Sequence, residues 1–132
     1  MTAKRNPVGW FEVYVSDMAR ARAFYETMLN IQMQPLPSPT GMESGFEMLM
    51  FPSDMENQAP GSGGTLCRMD GFTPSAGGTL IYFSCEDCGV ETSRVAAAGG
   101  QVLHEKFSIA PYGFIAHIID TEGNRIGLHS MK

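Results

Sequence analysis

One order of elements is written twice in this chain, and it constrains the fold more than any other feature. Alternating and helical runs of apolar residues give strand, helix and three strands, then a polar linker at Asp70 to Gly77, then strand, helix and three strands again. A single βαβββ unit of about 60 residues cannot cover its own sheet. Pairing two such units side by side hides one face of each and leaves a shared concavity between them. The expected layout is therefore one α+β domain over 1–132, with module one at about 8–70 and module two at about 77–131.

The strands are read from period-two alternation. Gly9 to Ser16 places Phe11, Val13 and Val15 on one face and Trp10, Glu12 and Tyr14 on the other. Ser16 or Asp17 then caps a helix in which Met18, Ala21, Phe24, Tyr25, Met28 and Leu29 recur at helical spacing, and Asn30 ends it. Ile31 to Leu36 is a weak strand broken by Pro35 and Pro37, and Pro37 to Gly41 is a turn. Gly45 to Phe51 and Gly64 to Met69 are strands on either side of an exposed polar loop at 53–63 that could lie over a pocket. In module two, Thr79 to Cys85 is a strand, about Glu86 to Ala98 a helix stopped by Gly99 and Gly100, and Gln101 to Phe107 a strand.

The chain closes on a hairpin. Phe114 to Ile119 and Arg125 to His129 flank Asp120-Thr121-Glu122-Gly123-Asn124, which supplies a carboxylate to start the turn and a glycine for positive φ. Ala116, Ile118, Ile126 and Leu128 share the face expected to be buried. His117, Arg125 and His129 share the other, which is either a site or a solvated outer face.

Net charge is −5 with no long basic run, which argues against nucleic acid and anionic membranes as partners and favours a small neutral, cationic or partly apolar ligand. No apolar run approaches a membrane span, and the start, Met1 to Pro7, lacks the apolar stretch of a signal peptide, so a cytoplasmic location is expected. Cys67, Cys85 and Cys88 are an odd number, which suits reduced thiols. Cys85-Glu-Asp-Cys88 has CxxC spacing, but there is no second pair for zinc and the acidic neighbours oppose a thiolate.

Three stretches carry a family resemblance: Val15-Ser16-Asp17 with Arg22-Ala23-Phe24-Tyr25-Glu26, Ala96-Ala97-Ala98-Gly99-Gly100, and Ile119-Asp120-Thr121-Glu122-Gly123-Asn124-Arg125-Ile126. Over nearly its whole length the chain resembles the vicinal oxygen chelate superfamily, which includes glyoxalases, bleomycin-resistance proteins and ring-cleaving dioxygenases. The resemblance implies two βαβββ modules forming a paired, half-open eight-stranded barrel, and a homodimer. It also implies a divalent metal held from four strands, at positions that here carry Trp10, a residue near Thr65, Leu80 and Gly127. None of these is a plausible ligand, so no metal cofactor is expected at the usual centre.

The concavity still holds chemistry. Glu12, His117 and His129 are the candidate catalytic residues, and Trp10, Tyr14, Tyr82, Tyr112 and Arg125 the candidate ligand-binding ones. Glu12 is open to three readings: a general base with its pKa raised by Trp10 and Tyr82, a member of a relocated Glu12/His117/His129 metal triad, or one half of an internal charge pair with Arg125 or a histidine. The leading function is binding of a small organic molecule without the usual metal; the alternatives are metal-independent lyase or isomerase chemistry with Glu12 as base and a divalent-metal enzyme with the relocated Glu12/His117/His129 site, while a pure interaction module leaves the inward polar cluster without a job. His104 is assigned no role.

Overall fold

A computed structural model describes residues 6–37, 45–54, 56 and 59–132. The expected turn at 37–41 lies, from residue 38, outside the described residues, as does most of the N-terminal stretch.

Module one contains β1 (Phe11–Tyr14), α1 (Met18–Leu29), β2 (Gln34–Pro35), β3 (Phe46–Met50) and β4 (Gly64–Met69). Module two contains β5 (Ile81–Ser84), α2 (Cys88–Arg94), β6 (Gln101–Ser108), β7 (Phe114–Ile119) and β8 (Arg125–Ser130). Each module makes a four-stranded mixed sheet, ordered β1-β4-β3-β2 and β5-β8-β7-β6. The first strand of each module runs parallel to the last, and the remaining pairs are antiparallel. This is the doubled α+β arrangement expected from the sequence. The two sheets are separate ladders, with β1 and β5 as their facing edge strands.

The elements form for local reasons. Asp17 is extended at φ −129° and its carboxylate accepts from the Arg20 amide, which starts α1, and Asn30 at φ 55° ends it in the left-handed region. In the β7–β8 turn, Asp120 Oδ1 accepts from the amides of Glu122 and Asn124, both at 2.8 Å, and Gly123 takes φ +89°. β2 shrinks to two residues because Pro35 and Pro37 withhold donors from a ladder. α2 is shorter than the expected 86–98. Asp87 caps it, its carboxylate accepting from the Gly89 amide, and turns rather than helix continue to Gly99.

One core serves both modules. Ala21, Phe24, Tyr25 and Met28 of α1 are fully buried with Val13, Val15 and Leu66 from module one and Ala116, Ile118, Ile126 and Leu128 from module two. Each large side chain contributes about 1.5–3 kcal/mol of apolar transfer.

A polar seam on the helix side ties the modules together. Glu122, in the module-two hairpin, accepts from the amides of Ser16 and Asp17 at 2.9 Å and from Arg20 Nε at 2.7 Å and Nη2 at 2.9 Å. Beside it, the buried Tyr25 hydroxyl donates to Asp120 at 2.5 Å. Asn124 Nδ2 donates to the Tyr14 carbonyl, and its Oδ1 accepts from the Ser75 amide. These contacts tie the end of β1, the start of α1 and the linker to the β7–β8 turn.

Candidate functional site

A cavity of about 1050 Å³ opens where the edge strands β1 and β5 face each other. Trp10, Glu12 and Tyr14 line it from module one and Leu80, Tyr82 and Ser84 from module two, with Ser53 and Pro60 to Gly63 from one loop and Thr73 to Ser75 from the linker. Phe11, Val13, Ile81 and Phe83 border it from the opposite parity of the same strands. Val13 turns toward the helices and is buried, so its neighbours in sequence turn the other way.

Trp10 is 40% exposed and Tyr82 42%, two large aromatic rings facing solvent on the wall of one cavity. Phe72 stacks on Tyr14 at 4.8 Å, with 16° between the ring planes.

The module-one wall pairs a phenol with a carboxylate. Tyr14 Oη donates to Glu12 Oε1 at 2.6 Å. Burial and this acceptor both push the Tyr14 pKa up, so the proton stays on Tyr14. Under this pair, Thr65 and Cys67 are fully buried and hydrogen-bonded to each other at 3.0 Å. Burial raises the Cys67 thiol to about 11.

The module-two wall is a chain of three side chains. Tyr82 Oη lies 2.8 Å from His117 Nε2, and His117 Nδ1 lies 3.2 Å from Arg125 Nη2. A guanidinium can only donate, so Nδ1 accepts and the imidazole proton sits on Nε2, donating to Tyr82. Burial first, then the Arg125 charge, lowers the His117 pKa, in keeping with a neutral ring.

The structure therefore brings together Trp10, Glu12, Tyr14 and Tyr82 on the cavity, with His117 and Arg125 joined to it through Tyr82. His129 and Tyr112 are not among the cavity-lining residues. His129 Nε2 donates to the Tyr112 carbonyl at 2.7 Å, and Tyr112 is 70% exposed. Glu12 pairs with Tyr14 and not with Arg125 or a histidine. Among the described residues no group of three His, Cys, Asp or Glu could hold a metal, so Glu12, His117 and His129 do not form the relocated triad. His104 Nδ1 meets the Glu105 carbonyl and its ring packs on Phe107.

The four family metal positions also fail to fit a cation. Trp10 and Leu80 bring no lone pair, and the Thr65 hydroxyl is taken by Cys67. A Cβ on Gly127 would stand 2.3 Å from the Tyr82 ring, so an aromatic side chain fills the space above that position.

Sequence reading missed three contributors. Thr73 to Ser75, within the stretch the sequence marks as a linker, line the cavity, and Phe72 before them reaches it only by stacking on Tyr14. Glu91 of α2 also borders the cavity, and its Oε1 is buried with no hydrogen-bond partner among the described residues. Its helical spacing gave no hint of this. Glu91 also acts on Cys85, whose thiol is pushed up to about 12 by burial first and by that carboxylate. Cys85, Cys88 and Cys67 are all free thiols.

Comparison with known proteins places these features in context. Residues 8–128 match the model of the Glyoxalase/Bleomycin resistance protein/Dioxygenase superfamily. No curated protein matches the chain in sequence. Among solved structures, glyoxalase I of Zea mays superposes with a TM-score of 0.71 at 18% identity, covering 95% of this chain and 46% of that one, so this chain spans about half of it. TnmS3, an antibiotic binding protein from a Streptomyces strain, superposes at 0.66 with 21% identity, covering 98% of both chains. A glyoxalase/bleomycin resistance protein from Albidiferax ferrireducens superposes at 0.63 with 18% identity, covering 93% of this chain and 98% of that one. At these identities the likeness is one of fold.

Proposed function

Because this chain belongs to the glyoxalase/bleomycin resistance protein/dioxygenase superfamily and its metal positions carry residues that cannot ligate, we propose that it binds a small, partly aromatic organic molecule between β1 and β5 without a metal centre. The observation that carries this reading is Tyr82 lying over Gly127: the space above the last of the four ligand positions is occupied by a ring that itself lines the cavity. Exposed aromatic surface around a concave space supports it further, since planar ligands gain both apolar burial and ring stacking there. A fold relative described as an antibiotic binding protein is consistent with a binding role.

Reading Glu12 as a general base is less well supported. Its carboxylate is exposed rather than enclosed by Trp10 and Tyr82, and one oxygen already accepts from Tyr14.

Trp10 is the only tryptophan and stands on the cavity, so its fluorescence reports occupancy directly. Titration with a library of planar aromatic compounds is expected to give saturable quenching that EDTA leaves unchanged. Quenching that disappears with EDTA and returns with a divalent metal would overturn the metal-free reading.

A further inference from the structure

The two walls of the cavity differ in hydrogen-bond polarity, and that difference selects among ligands. On the module-one wall, the Tyr14 proton is committed to Glu12 Oε1, so this wall offers acceptors: the second carboxylate oxygen of Glu12 and the lone pairs of Tyr14. On the module-two wall the order is reversed. Arg125 donates to His117 Nδ1, His117 Nε2–H donates to Tyr82 Oη, and the Tyr82 proton has no acceptor among the described residues. Tyr82 therefore offers a donor, with a positive charge two hydrogen bonds behind it.

Charge points the same way. The charged side chains lining the cavity, among the described residues, are Glu12 and Glu91, both acids, and Glu91 lies beside the Cys85 thiol. Arg125 is not among the lining residues; it stands behind His117.

We propose that the cavity selects planar organic molecules carrying a cationic nitrogen at one end and a carbonyl or phenolic oxygen at the other, the nitrogen meeting Glu12 and the oxygen accepting from Tyr82. This rests on the cavity being the binding site proposed above. A neutral ligand lacking the nitrogen leaves a carboxylate oxygen facing an apolar surface, and one lacking the oxygen leaves the Tyr82 hydroxyl unmatched. An anion at the Glu12 end meets a like charge.

Four probes on related ring systems separate these terms: proflavine (cation, no oxygen), acridone (carbonyl, no charge), acridone bearing a dimethylaminoethyl arm (both) and acridone acetic acid (carbonyl and anion). By quenching of Trp10 at pH 7, the armed acridone is expected to bind about tenfold more tightly than either proflavine or acridone, with the acetic acid weakest. Glu12→Gln is expected to reduce the armed compound's advantage over acridone, and Tyr82→Phe its advantage over proflavine, each by about tenfold. Both sites are exposed, and circular dichroism checks that both variants fold. The acetic acid binding as tightly as the armed compound, or either variant weakening all four probes equally, would overturn the assignment while leaving the cavity reading intact. Absence of quenching by any probe would remove the cavity reading and this one with it.

Discussion

Two tyrosine–carboxylate hydrogen bonds of nearly equal length sit at opposite ends of this molecule's chemistry. Tyr25 donates to Asp120 at 2.5 Å in the seam between the modules, and Tyr14 donates to Glu12 at 2.6 Å on the cavity wall. Length does not tell them apart; what remains unused on each acceptor does. In the seam, Asp120 also accepts from the Glu122 and Asn124 amides and from Asn124 Nδ2, and its neighbour Glu122 takes five donors counting Thr121. On the cavity wall, Glu12 takes one donor and keeps an oxygen. Saturated carboxylates hold the fold; an unsaturated one at a concave surface is available to a ligand.

Removing acceptors from the seam tests this most severely. Glu122→Ala is expected to cost about 3 kcal/mol in urea unfolding, because it orphans the Ser16 and Asp17 amides at the start of α1. The same carboxylate sets an acid limit. Burial works to raise its pKa, but the donors from Arg20, Asp17, Thr121 and Ser16 outweigh burial and hold it at about 2, below its ordinary 4.5. A depressed folded pKa stabilises fully above the unfolded value and is lost on acidification. The thermal midpoint should therefore fall between about pH 4.5 and about pH 2, and Glu122→Gln should flatten the profile across that window. Next, Tyr25→Phe should cost about 2 kcal/mol by the same unfolding measurement, since it strips a buried charge-assisted hydrogen bond. Smallest is Tyr14→Phe, expected within about 0.5 kcal/mol because water replaces the lost donor at an exposed carboxylate. A Tyr14→Phe cost matching that of Tyr25→Phe would erase the distinction between wall and seam.

The same contrast explains how far sequence carried. The closing hairpin was legible because alternation and an Asp-Thr-Glu-Gly turn are local signals: Ala116, Ile118, Ile126 and Leu128 are buried as their parity implies, and His117 shares its face with Arg125. Both ends of α1 were legible for the same reason. The role of Glu122 was not, since its partners lie about a hundred residues away and the turn pattern accounts for an acid there without them. Parity also places Glu12 and Tyr14 on one face, and the i, i+2 hydrogen bond between them needs no partner from the other module. The partner of His129 is the Tyr112 backbone carbonyl, which no side-chain pattern reveals.

No backbone ladder crosses from β1 to β5. Where those strands face each other, the distance is set by side chains, chiefly Phe11, Phe51 and Phe83 in mutual ring contact. Strand register tolerates no adjustment smaller than a residue, whereas aromatic packing can be altered one ring at a time. The gauge of the opening is thus decoupled from the architecture that carries it, and substitutions among three phenylalanines can re-cut the chamber for guests of different thickness while every hydrogen-bonded strand pair stays in place.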